Sequence, residues 1–125
     1  FSDDGRTTLG TGLSSAREQL AGAANSGTAA YFAGGDTGSL VTTVDKFAFS
    51  DDSRTTLGTG LSSANNKLAG AADSGTAAYF AGGYNGANIT TVDKFAFSDD
   101  SRTTLGTGLS AVENGLAGAA DSGTL

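Results

Sequence analysis

The chain repeats itself. The segment that opens at Phe1 and runs to Gly10 returns at Phe49 and again at Phe97, a period of 48 residues. The 125 residues therefore hold one unit at 1–48, a second at 49–96 and part of a third at 97–125. A repeat of this size is one supersecondary unit. It cannot bury an apolar face alone, so neighbouring units must stack on one another, in an array or a ring.

Composition narrows what such an assembly can do. The net charge is −6, and an acidic surface repels phosphate, so nucleic acid and anionic membranes are poor partners. There is no Cys, hence no disulfide framework and no thiolate metal site; there is no His, the commonest general base. No apolar run approaches the ~18 residues of a membrane span, and no leader-like start is visible. Twenty Gly and only ten aromatic residues make a lean core. Small side chains, close sheet packing and backbone hydrogen bonds must supply the stability. No cofactor is implied, and nothing pairs a nucleophile with a base, so the expectation is a non-catalytic protein.

The second unit is complete and shows the local plan. Leu68–Ala72 is short, apolar and small, and Asp73–Thr76 is a turn in which Gly75 supplies positive φ. Thr76–Ala81 reads as an apolar strand that ends at Gly82-Gly83. Tyr84–Asn88 carries an Asn-Gly turn signal. Ile89–Phe97 reads as a third strand, with Phe95 and Phe97 on one face at period two. Ser98–Ser101 is the next turn, and Arg102–Thr107 is a Thr-rich fourth strand. Ser62–Lys67 is a polar connector into the following unit. No segment keeps a helical period with a capping pattern. The fold class expected is all-β, with four short antiparallel strands in each unit.

Taken together, these marks resemble the kelch repeat. Ala77–Gly83 and Ala29–Gly35 both place an aromatic three residues before a double glycine. Phe47–Leu57 stands where that family has an aromatic, an acidic turn and a Trp-bearing outer strand, although Arg6, Arg54 and Arg102 occupy the Trp position. The family's basic residue before the first strand is only partly present: Gln19, Lys67 and Gly115 stand there, and Lys67 alone is basic. The resemblance implies a β-propeller whose blades carry Leu20–Ala24, Leu68–Ala72 and Leu116–Ala120 as innermost strands. A linear β-solenoid is the alternative arrangement of the same units.

The units differ from one another unevenly. Units one and two differ at ten of 48 positions, and eight of these fall within Arg17–Gln19 and Asp36–Val41. Units two and three differ over their comparable stretch only at 111, 112, 113 and 115. In an antiparallel four-stranded unit the connector and the loop from second to third strand lie on one face. That face is the candidate binding surface, because loops on a rigid scaffold carry recognition. Its residues are Arg17, Glu18, Gln19, Asp36, Thr37, Ser39 and Leu40 in the first unit. Asn65, Asn66, Lys67, Tyr84, Asn85 and Asn88 follow in the second, and Glu113 and Asn114 in the third. The partner expected is a protein or a glycan, with Tyr84 as a stacking surface in the lectin-like version. The paired carboxylates Asp3-Asp4, Asp51-Asp52 and Asp99-Asp100 offer too few oxygens for calcium and read as solvated turns.

Residues 1–13 read as an outer strand without its sheet, and residues 110–125 as an innermost strand without its neighbours. Unpaired edges of this kind invite pairing with another copy. The expectation is a homo-oligomer, a dimer with six innermost strands being favoured, or a piece of a longer array. A purely structural repeat of a bacterial or viral surface assembly is the other role such a chain suggests, with an extracellular, virion or cell-surface location.

Overall fold

The computed structural model describes residues 5–121. They form two sheets and no helix. The first sheet runs β1 (Ala21–Asn25), β2 (Ala29–Ala33), β3 (Val44–Ala48), β4 (Arg54–Thr56), each strand antiparallel to the next. The second repeats this with β5 (Ala69–Asp73), β6 (Ala77–Ala81), β7 (Val92–Ala96) and β8 (Arg102–Thr104). A two-residue strand, β9 (Ala120–Asp121), lies parallel to β5 on its free edge. The registers of the two sheets are the same after a shift of one repeat: Ala21 faces Ala33 as Ala69 faces Ala81, and Phe47 faces Ala30 as Phe95 faces Ala78.

The core lies between the sheets. Tyr31, Ala33 and Val44 from the first sheet meet Ala78, Phe80 and Phe95 from the second, with Leu61 and Leu68 closing one side. Phe97 packs against the same cluster, its ring centroid 5.3 Å from that of Tyr31, so Phe95 and Phe97 serve one interface as their period-two spacing implies. The rings of Phe80 and Phe95 meet edge to face at 5.9 Å. Such contacts matter more than usual where most core residues are alanine, because each aromatic supplies a large share of the apolar area buried.

Glycine makes the close approach at the inner edge possible. A Cβ on Gly70 would collide with the carbonyl of Gly22, and one on Gly118 with the carbonyl of Gly70. The three positions form a column in which successive inner strands touch through bare backbone. Beside it, the Lys67 amide donates to the Gln19 carbonyl and the Gly115 amide to the Lys67 carbonyl, both at 2.8 Å. Successive units are thus stitched by backbone at their inner margin.

Two strands end earlier than the sequence pattern implies. The third strand is Val92–Ala96 and not Ile89–Phe97, because the Thr90 carbonyl accepts from Leu109 of the connector and leaves the ladder. The fourth is Arg102–Thr104 and not Arg102–Thr107. The Leu105 amide makes the last bond, to Val92, before the chain turns away at Gly106. Within the expected outer strand 1–13, the described part from Gly5 holds no strand: β4 and β8 pair with β3 and β7, and no such strand lies beside residues 6–8. The expected innermost strand Leu116–Ala120 is likewise strand only at its last residue, within β9, so it does not copy β1 and β5. Residues 1–4 and 122–125 of the two expected end strands lie outside the described residues.

Candidate functional site

The two diversified segments meet. Glu18 and Asp36 exchange backbone hydrogen bonds at 3.0 and 2.9 Å, and Asn66 and Tyr84 do the same at 3.1 and 2.9 Å. Asp36 then bridges to Leu40, and Tyr84 to Asn88. Each unit therefore weaves its connector and its second loop into one miniature ladder. The third unit joins through Ile89 and Glu113. Side chains cross the seams between units: the Asn66 amide donates to Gln19 Oε1 at 2.6 Å and the Asn114 amide to Asn88 Oδ1; within the second unit Lys67 Nζ stands 5.9 Å from the Tyr84 ring centre.

The double glycines make this ladder possible. Gly34 and Gly35 take φ of 67° and 109°, and Gly82 and Gly83 take 66° and 105°. All four are buried, and a Cβ on Gly83 would sit 2.6 Å from the Asn66 carbonyl. The Gly35 amide donates to Asn65 of the next unit, and the Gly83 amide to Glu113. The motif is backbone geometry that lets one unit's connector lie across another's second strand.

The candidate residues separate into two layers. Glu18, Gln19, Thr37, Ser39, Lys67, Tyr84, Asn85, Asn88, Glu113 and Asn114 are exposed, and Asp36 and Leu40 are half-buried. Arg17, Asn65 and Asn66 are supports, not contact surface. The Arg17 side chain is fully buried, and Asn65 and Asn66 are 6 % and 5 % exposed. Asn65 Nδ2 donates to the Gly82 carbonyl at 3.1 Å, holding the double glycine from beneath.

Beneath the strip lies a feature the sequence reading passed over. Asp45, wholly buried in β3, accepts from the Ser14 amide and Ser14 Oγ, both at 2.9 Å, and from Thr56 Oγ1 at 2.6 Å. It also pairs with Arg17 at 3.0 Å. Burial by itself pushes the Asp45 carboxyl up. The hydrogen bonds from Thr56 and Ser14 and the Arg17 charge outweigh burial and hold it below the usual carboxylate range. Asp93 repeats the clasp with Ser62 and Thr104 at 2.8, 2.9 and 2.6 Å. Arg17 has no equivalent there, since Asn65 replaces it; Arg102 Nε approaches Asp93 only to 4.0 Å. A carboxylate in the middle of an apolar strand, copied unchanged as Val44-Asp45-Lys46-Phe47 and Val92-Asp93-Lys94-Phe95, was the available signal.

A second clasp corrects the reading of the acidic turns. Asp51 and Asp99 are exposed turn residues; hydrogen bonding from the Ser53 and Ser101 side chains first, and then from their amides, lowers both carboxyls. Asp100 instead reaches across to the first sheet. It accepts from Tyr31 Oη at 2.7 Å and from Lys46 Nζ at 2.8 Å. Burial first, then the Asp100 carboxylate, pushes the Tyr31 hydroxyl up to about 12. Burial lowers the Lys46 ammonium, but the bonds to Asp100 and Tyr31 leave it raised.

Among the described residues no group of three or more Asp, Glu, His or Cys gathers as a metal site, and no helix is long and apolar enough to cross a membrane. Neither protein-family models nor curated proteins give a match to this chain.

Proposed function

We propose that the chain is a non-catalytic, kelch-like repeat scaffold whose variable strip binds a ligand. The observation that carries this reading is that the diversified segments are hydrogen-bonded into one strip, while the buried carboxylates Asp45 and Asp93 and their serine and threonine donors beneath it are copied unchanged. Exposed turns that merely drift have no reason to concentrate their changes in two segments that touch. The turns Asp73–Thr76 and Ser98–Ser101, equally open to water, barely change between units.

The propeller arrangement is part of the proposal. The inner strands β1 and β5 pack closely, and no comparable packing joins β4 to β8. Sheets that touch at one edge and spread at the other suit blades around an axis. In a linear solenoid, equivalent strands would stay equally spaced throughout. Small-angle scattering separates the two shapes.

The ligand class best suited is polar. The strip offers Glu18, Asp36, Asn85, Asn88 and Asn114, and Tyr84, 39 % exposed, gives it one aromatic surface. A glycan fits this mixture of amides, carboxylates and one ring, and an extended peptide is the competing ligand. The test is a variant with alanine at Glu18, Asp36, Tyr84 and Asn85, probed on a glycan array and a displayed peptide library beside the parent chain. Capture by the parent, lost in the variant with the melting temperature unchanged, supports the strip. Capture that survives all four changes, or no capture by the parent on either array, removes it.

A further inference from the structure

The interface between the two sheets has two sides, and each side is also present, uncovered, elsewhere on the molecule. The second sheet presents Ala78, Phe80, Phe95, Phe97 and Asp100 to the first. The counterparts of these residues on the first sheet are Ala30, Phe32, Phe47, Phe49 and Asp52. They line an open apolar groove on that sheet's opposite face. Phe80 and Phe95 are 2 % and 0 % exposed, whereas Phe32 and Phe47 are only half-buried and Phe49 is 48 % exposed. The receiving side is repeated as well. Tyr31 is 1 % exposed and is gripped by Asp100, whereas its counterpart Tyr79 is half-buried and has no carboxylate partner among the described residues. Lys94 stands 5.7 Å from the Tyr79 ring centre, as Lys46 stands 5.4 Å from that of Tyr31.

We infer that the chain binds a second copy of itself head to tail, the groove carrying Phe49 and Asp52 docking on the face carrying Tyr79 and Lys94. The occupant follows from the molecule: the contacts needed are those already made between its own sheets. Asp52 of the incoming copy accepts from Tyr79 and Lys94, and Phe49 covers the Tyr79 ring. The charges are opposite, the apolar faces match in size and sequence, and the tyrosine–lysine pair is already in place.

One segment must give way. A copy docked in this register brings its residues 9–25 to the place held by residues 105–121 of the receiving chain, while β8 stays on β7. Residues 9–25 and 105–121 differ at six of 17 positions, and the exchange that counts is Arg17 against Glu113. Arg17 neutralises buried Asp45, whereas a glutamate there would confront it with like charge. The incoming copy therefore keeps its own segment, and residues 105–121 of the receiver move aside. What holds them is mainly backbone: the amides of Leu105, Leu109, Glu113 and Gly115 donate to Val92, Thr90, Ile89 and Lys67, and the Glu113 carbonyl accepts from Gly83. The incoming segment can remake most of these bonds, whereas Ala111–Gly115 and Ala117–Ala119 are exposed and β9 pairs over two residues. Because the interface is heterologous, the rotation between units decides whether the assembly closes as a ring or extends as a filament.

The full-length chain tests this by sedimentation velocity across a dilution series. One variant blocks the groove, with Phe49→Lys and Asp52→Lys, and another blocks the receiving face, with Tyr79→Ala and Lys94→Glu. Each alone should sediment as a 12.2 kDa monomer, while the mixture forms one-to-one dimers through the intact halves. In those dimers, amide exchange at Gly115 should speed up as the displaced segment leaves its bond to Lys67, while the Gly83 amide stays protected by the incoming Arg17 carbonyl in place of Glu113. Asp52→Lys alone should weaken association at least about tenfold, and adding Lys94→Asp in the same chain should restore it. Circular dichroism confirms that each variant is folded, and the restored double variant excludes misfolding as the cause. A parent chain that stays monomeric at every concentration overturns the inference. So do blocked variants that associate like the parent, or blocked variants that fail to pair with each other.

Discussion

The two aspartate clasps are each other's control, and their difference is a measurable energy. Asp93 accepts three hydrogen bonds from Ser62 and Thr104, and among the described residues the cation paired with it is Arg102, partly exposed and 4.0 Å away. Replacing Asp93 with alanine strands three donors that water can partly reach, a loss of about 2–3 kcal/mol. Asp45 has the same three bonds and, in addition, a wholly buried Arg17 at 3.0 Å. Removing Asp45 leaves that guanidinium buried without its partner, and a change of this kind costs about 3–5 kcal/mol. Asp45→Ala should therefore exceed Asp93→Ala by about 1–2 kcal/mol. The excess belongs to Arg17, so Arg17→Asn, which copies the second unit's residue, should recover most of it when combined with Asp45→Ala. Urea unfolding followed by far-ultraviolet circular dichroism reads all four proteins on one scale, given a common denaturant slope. Equal losses at the two aspartates would refute the reasoning, as would an Arg17→Asn change that deepens the Asp45→Ala defect. The pH dependence has a definite sign. Asp45 is depressed in the folded chain, so its contribution is fully present above the unfolded carboxyl value of about 3.9 and is lost as pH falls through the lower folded value. Acid unfolding of the Asp45→Ala chain should show a shallower slope in that window.

Three further outcomes follow from the same contacts. Gly70→Ala should destabilise by about 1–3 kcal/mol in thermal or urea unfolding, since its methyl meets the Gly22 carbonyl; a neutral result would dissolve the glycine column. Lys67→Gly should stabilise by about 0.5–1 kcal/mol, because Lys67 holds φ at 56° where the third unit has Gly115; an unchanged urea midpoint would count against strain there. Tyr31 should titrate near 12 by tyrosinate absorbance, and its contribution to stability should be complete below 10 and lost as pH rises from 10 to 12. Asp100→Asn should lower that titration point, and no change would deny the clasp.

Much of the scaffold was legible because it depends on local chemistry. Period two in the third strand, Gly75 in its turn and the double glycine after Phe80 each report backbone geometry that a residue type enforces on the spot. The all-β units and the course of the second strand follow from these. Strand ends were less legible. Thr90 and Thr107 have good β character, yet where a ladder stops depends on which carbonyl the connector claims. The clasps were least legible, since Ser14 and Asp45 lie 31 residues apart and Tyr31 and Asp100 lie 69 apart. Nothing in a local pattern says that a turn aspartate will cross to another sheet, and Asp99, its neighbour in the same turn, does not.

The division of the candidate site into exposed and buried layers bears on how a repeat can vary. A substitution on the outer layer, such as Ser39 against Ala87 or Thr37 against Asn85, disturbs no clasp and leaves the backbone ladder intact. Position 17 is different. Its side chain is buried against Asp45, so its change to Asn65 in the second unit alters the support beneath the strip. Asn65 then takes a different task, bonding the Gly82 carbonyl in place of pairing with a carboxylate. The strip can therefore diversify freely at its rim. At this one support, a change must bring its own hydrogen-bond partner, because an orphaned charge beneath the ladder would cost more than any contact at the rim returns.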